Sequence, residues 1–121
     1  MAVERRSVDW PELIQPDDDV AIAAVTAAEL LVGVQFADVK HRRSREEFVE
    51  GVLSLFPIEE YNLAAARSHA VLLAHARRSG RQRGAHDLII AATAVSRDRT
   101  VVSADRAAFE DLPGVRLRPI G

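Results

Sequence analysis

The sequence predicts an α/β fold, a three-layer α/β/α sandwich built on a mostly parallel sheet. Short apolar runs without polar alternation, such as Val20 to Val25, read as strands buried on both faces, which implies a parallel sheet covered by helices. Amphipathic helical patterns fill the stretches between those runs, on the spacing of strands alternating with helices. The length of 121 residues, 48% of them hydrophobic, suits a single domain over 1–121 and is too short for two ordinary ones.

Pro16 to Asp19 forms a turn before the first apolar run. Thr26 stands three residues ahead of Glu29, the capping-box spacing, and predicts a helix continuing through Leu30, Val34, Ala37 and Val39 to about Lys40. A second box, Ser44 with Glu47, opens a helix whose inward side is expected at Phe48, Val52, Leu53 and Leu55. Phe56 to Ile58 reads as a short extended segment. Asn62 then caps a long helix carrying Leu63, Ala66, Ala70, Leu73 and Ala74, with a stop at Ser79-Gly80. Arg81 to Ala85 is a basic loop, Asp87 to Arg97 a helix, Thr100 to Ser103 a strand, and Val115 to Leu117 a weaker strand after Pro113-Gly114.

The composition excludes several classes of function. With no cysteine there is no disulfide framework, thiolate metal site or cysteine nucleophile, and a reducing cytoplasm is the expected compartment. The apolar run Leu88 to Val95 is far short of the ~20 residues of a membrane span, and Met1 to Trp10 has charges where a signal peptide has its apolar core. The formal charge of -2 gives no global attraction to nucleic acid, so a polyanion site must be a local patch. Glycine-rich phosphate loops and Gly-x-Ser-x-Gly elbows are absent.

Three carboxylates, Glu29, Asp87 and Asp105, each adjoin an apolar run that seats them near the end of a buried element. Gathered at one sheet edge they would repel each other unless a cation neutralised them, and such oxygen-rich sets suit Mg2+ or Mn2+. Taken singly, each has an ordinary structural reading. Glu29 can be the third residue of a capping box, Asp87 can complement the dipole of its helix, and Asp105 can cap the short helix Arg106 to Glu110. Arg77, Arg78, Arg81 and Arg83 precede Asp87 and can offer guanidinium forks to a phosphate backbone, or complement a helix C-terminus and a solvated loop. The histidines, His86 included, lack metal-ligand spacing and read as surface or core-edge residues.

Three segments together resemble a PIN-domain ribonuclease of the VapC toxin type: Val20 to Gly33 with Glu29, Gly84 to Ala94 with Asp87, and Val101 to Asp105 followed by Phe109 and Leu112 to Val115. The resemblance covers Val20 to Gly121. It implies a Mg2+- or Mn2+-dependent endoribonuclease, with Glu29, Asp87 and Asp105 as metal-binding catalytic acids, an RNA substrate, a cognate VapB-type antitoxin and a homodimer. Thr26 and Ser103 are expected beside the acids. Members of the family begin with a central strand ending in aspartate. Here Met1 to Arg6 matches what normally follows that strand, so the domain is expected to lack it and the first acid, and Asp9, between Arg5-Arg6-Ser7 and Trp10-Pro11, is a poor substitute. A displaced start or a true truncation would each account for this. Two non-catalytic functions compete with the ribonuclease: a toxin-like protein that binds antitoxin through its helical surface, and an RNA-binding module using the arginine patch.

Overall fold

The computed structural model describes Ala2–Val3 and residues 20–119. The turn expected at 16–19 and Asp9 lie outside the described residues. Strand β1 (Ala2–Val3) pairs in parallel with β4 (Val101–Ser103), Ala2 opposite Val101, and β4 pairs in parallel with β5 (Leu117–Pro119). A second parallel pair joins β2 (Ile22–Ala23) to β3 (Ile58–Glu59). Strand β1 also lies against β2 and so stands between the two pairs. The mixed α/β architecture with parallel strands agrees with the predicted class.

The expectation of a missing first strand is corrected in one respect: a strand, β1, does stand beside β4, although its two residues include no aspartate. Two apolar residues suffice to occupy the place beside β4, because parallel pairing draws on backbone groups that any short extended segment supplies. The strand expected over Val20 to Val25 is also shorter than its apolar run. The chain turns helical at Ala24, and α1 (Ala24–Phe36) follows β2 without a loop. Its N-cap is Ala23, with no side-chain cap, so Thr26 and Glu29 do not form a capping box, and the helix ends at Phe36 rather than Lys40. Helix α2 (Arg42–Leu55) likewise starts behind His41, with no side-chain cap, instead of at Ser44. It buries Val49 and Val52, while Phe48 and Leu55 face out.

Helix α3 (Leu63–Ser79) follows the prediction closely. Asn62 Oδ1 accepts from the Ala65 amide at 3.0 Å, and Gly80, in the left-handed region at φ 70°, ends the helix. Its buried residues are Ala65, Leu72 and Ala76. Helix α4 (Ala85–Ser96) is the central element, with Leu88 and Ile90 to Ala94 all buried, and it packs along α3. Short helix α5 (Arg106–Phe109) follows β4 and anchors Phe109 in the core with Leu88, Val101 and Leu112. The last strand begins at Leu117, two residues later than expected.

Candidate active site

Glu29 owes its place to the loopless passage from β2 into α1. Thr26 falls in the first turn of the helix and is fully buried, and Glu29, one turn on, emerges half-buried with 26% of its side chain exposed. The Glu29 Oε1 atom lies 3.3 Å from Nδ1 of His86 in the first turn of α4. This contact joins α1 to α4 one residue away from Asp87. From the sequence His86 reads as a surface or core-edge residue. Its ring is largely exposed, but it bridges the two helices that carry the first two acids. Its only signal in the sequence was its position beside Asp87.

Asp87 sits at the third position of α4, where a negative charge complements the helix dipole. Its carboxylate folds back onto Gly84, the N-cap: a β-carbon added there would lie 2.7 Å from Oδ2. The glycine is therefore what admits this orientation.

Asp105 caps α5. Its Oδ1 accepts from the Ala108 amide at 3.2 Å, and its own amide donates to Oγ of the fully buried Ser103 at 3.0 Å. The structural role foreseen for this acid is present. Glu29 and the first turn of α4 meet directly, and Asp105 is the N-cap of α5, which the loop before α4 reaches through Arg81 and Arg83. Among the described residues no three His, Cys, Asp or Glu side chains gather as a ready metal cage. The buried Thr26 hydroxyl has no hydrogen-bond partner among the described residues.

The four arginines divide into two pairs. Arg77 and Arg78 are exposed in the last turn of α3. Arg81 and Arg83 turn towards α5, and both donate to the Ala107 carbonyl, at 3.0 and 3.1 Å. Arg81 also pairs with Glu110 at 3.3 Å and Asp111 at 3.6 Å. Burial first, and then the charge of Arg81, lower the pKa of the Arg83 guanidinium. The same loop roofs a groove with an apolar floor of Leu73, Ala76 and Leu88.

The model of the PIN domain family matches residues 4–115. The chain is a PIN-domain protein. This PIN domain is 31% identical over 98 residues to the tRNA(fMet)-specific endonuclease VapC of Salmonella typhimurium, a match covering 81% of this chain and 73% of the relative. It is 27% identical to the Ribonuclease VapC of Rickettsia bellii over 83% of its own length and 75% of that protein. Among solved structures it is similar to VapBC-5 of Mycobacterium tuberculosis, a member of the VapBC family of toxin-antitoxin systems, at 32% identity and a TM-score of 0.82, covering 98% of this chain and 97% of that one. The fold also matches VapBC2 of Rickettsia felis at a TM-score of 0.86 and 20% identity, covering 99% and 98% of the two chains. The PIN resemblance read from three sequence segments is thereby established.

Proposed function

We propose that this PIN domain is a Mg2+- or Mn2+-dependent endoribonuclease toxin of the VapC type, which cleaves RNA phosphodiester bonds in the cytoplasm and is neutralised by a cognate VapB-type antitoxin. The observation that carries the reading is the meeting of Glu29 with the first turn of α4, which holds Asp87, in a chain whose relatives include named VapC ribonucleases.

Carboxylate oxygens suit a hard cation, and Mg2+ keeps several waters, needing only one or two carboxylates along with substrate phosphates. Glu29 and Asp87 would hold it, with Asp105 as a further acid through Oδ2, its Oδ1 keeping the cap on α5. A cation bound there would activate water and neutralise charge developing on the phosphodiester. Arg77 and Arg78, exposed in the last turn of α3, would take a neighbouring phosphate. Arg81 and Arg83, also candidates from the sequence, already spend their guanidinium groups on α5.

The antitoxin would dock on the outer face of α1, α2 and the turn between them, where Leu31, Val32, Phe36, Val39, Phe48 and Leu55 are exposed. A homodimer is the expected assembly. Among the described residues no helix is long and apolar enough to cross a membrane.

The deciding experiment is RNA cleavage with Mg2+ or Mn2+, comparing the chain with Asp87→Asn. The substitution removes a ligand charge with little change of shape. Cleavage should fall at least about 100-fold, since a lost electrostatic contact to the transition state costs ~10²–10³ in rate, while the circular dichroism spectrum stays that of the folded chain. A wild-type rate in the variant would overturn the site. A second reading, a non-catalytic toxin-like protein that binds antitoxin, is supported by the exposed apolar residues of α1 and α2. Folded wild-type protein that binds antitoxin but neither Mn2+ nor cleaves RNA would establish that reading instead.

A further inference from the structure

The α3–α4 loop is tied to α5 by two guanidinium groups on one carbonyl. Arg81 Nη2 and Arg83 Nη1 reach Ala107 O at 3.0 and 3.1 Å across 26 and 24 residues of sequence. A four-residue helix leaves its terminal carbonyls without in-helix donors, and cations are favoured at that end. Two like charges there repel each other, and Glu110 and Asp111 offset this by pairing with Arg81.

What lies at each end of this tie gives it a consequence. On one side, the residue after Arg83 is Gly84, the N-cap of α4, against which the Asp87 carboxylate rests. On the other, Ala107 is the second residue of the helix that Asp105 caps, and the Ala108 amide is the one Asp105 holds. Buried Phe109 fixes that helix to the core.

We infer that Arg83, together with Arg81, is a positioning residue that clamps the α3–α4 loop to α5 and thereby sets Asp87 in register with Asp105. The inference rests on the metal-dependent nuclease reading for its use, and assigns these two arginines to the geometry of the acids rather than to phosphate. Arg77 and Arg78, one turn earlier, are left as the cationic face for RNA.

The test is amide hydrogen exchange by NMR on the full chain, comparing Arg83→Gln with Arg77→Gln. Two amides report on the ends of the clamp: Ala108, held by Asp105 Oδ1, and Leu88, which donates to the Gly84 carbonyl at 3.1 Å. Arg83→Gln should speed exchange at both by about tenfold or more while the middle of α3 is unchanged, and Arg77→Gln should affect neither. In parallel, Mn2+ should broaden the Asp87 and Asp105 resonances of the wild type and do so less in Arg83→Gln. RNA affinity in EDTA should be retained by Arg83→Gln and reduced by Arg77→Gln.

Unchanged exchange at Ala108 and Leu88, or an Arg83→Gln variant that loses RNA affinity in EDTA with a salt dependence smaller by about one phosphate contact, would overturn the clamp. If Arg83→Gln does not fold, Arg83→Lys keeps the charge, loses the planar fork and is read at the same two amides. Wild-type protein untouched by Mn2+ would sink the metal-dependent reading, while the exchange experiment would still decide the clamp.

Discussion

The Asp87 carboxylate leaves room for only a hydrogen on the α-carbon of Gly84, since a β-carbon there would come within 2.7 Å of Oδ2. The backbone at Gly84, φ -61° and ψ 137°, is open to any residue, so the glycine answers to its neighbour's side chain and not to a turn. Gly84→Ala is therefore expected to change stability by less than about 1 kcal/mol, the loss of a good cap residue being set against a stiffer unfolded chain. Mn2+ affinity should fall, because the alanine methyl pushes the carboxylate to another rotamer. Thermal melts and Mn2+ titrations of the same samples separate the two effects. Retained affinity would mean that Asp87 does not bind a cation in this orientation. At this scale the sequence was partly legible. The Asp105 cap follows from an aspartate after a strand, and Asn62 from its place before an apolar helix. Thr26 was misread because Thr-x-x-Glu has capping-box spacing whether or not the helix begins there. The decision lay with the apolar run before it, which becomes helical at Ala24.

Elements are fastened by contacts that local sequence does not announce. Glu59 at the end of β3 takes Arg97 Nε at 3.0 Å and Arg99 at 3.0 and 3.1 Å, drawing the turn between α4 and β4 onto the strand beside it. The group is well shielded, with 16% of the Glu59 side chain and 15% of the Arg99 side chain exposed. Glu59→Gln removes the only charge in this trio that opposes the two arginines. By analogy with broken buried pairs, at the lower end because some solvent reaches the site, it should cost about 2–3 kcal/mol. Urea unfolding of the two proteins measures this, and the difference should persist at high salt because shielded pairs are weakly screened. A difference below about 0.5 kcal/mol would place the trio with ordinary surface ion pairs. Helix α3, with a cap, a glycine stop and a long pattern, could be placed from sequence nearly to the residue. Strand β4, expected over Thr100 to Ser103, is also found within a residue, at Val101–Ser103, but the two-residue strands could not be placed this way, since their bounds depend on partners 36 or more positions away, such as Ile58 for Ile22.

At the scale of the whole molecule, the segments that identified the family also delimit what could be foreseen. An apolar helix face marks where water is to be excluded without saying by what. Phe48 and Leu55 were assigned to the core on that ground, yet α2 turns Val49 and Val52 inward and leaves Phe48 62% exposed and Leu55 74% exposed. On α1, Phe36 is 86% exposed, and the two helices pack on each other. Soluble monomers rarely keep contiguous apolar patches beyond a few hundred Å² exposed, so among the described residues this is the face that the proposed antitoxin would cover. Replacing Phe36 and Phe48 together by serine should leave the fold intact, because neither contributes to the buried core, and surface changes of this kind stay within about 0.5 kcal/mol each. Binding of the cognate antitoxin should fall by at least about 100-fold, as expected when two aromatic anchors of ~2 kcal/mol or more are lost together. Calorimetric titration of the antitoxin into wild-type and doubly substituted protein measures this directly. Equal affinity would move the antitoxin to another face. In that case, light scattering on the protein alone tells whether a second copy of the chain covers the α1–α2 surface, since the double variant would then be the smaller species.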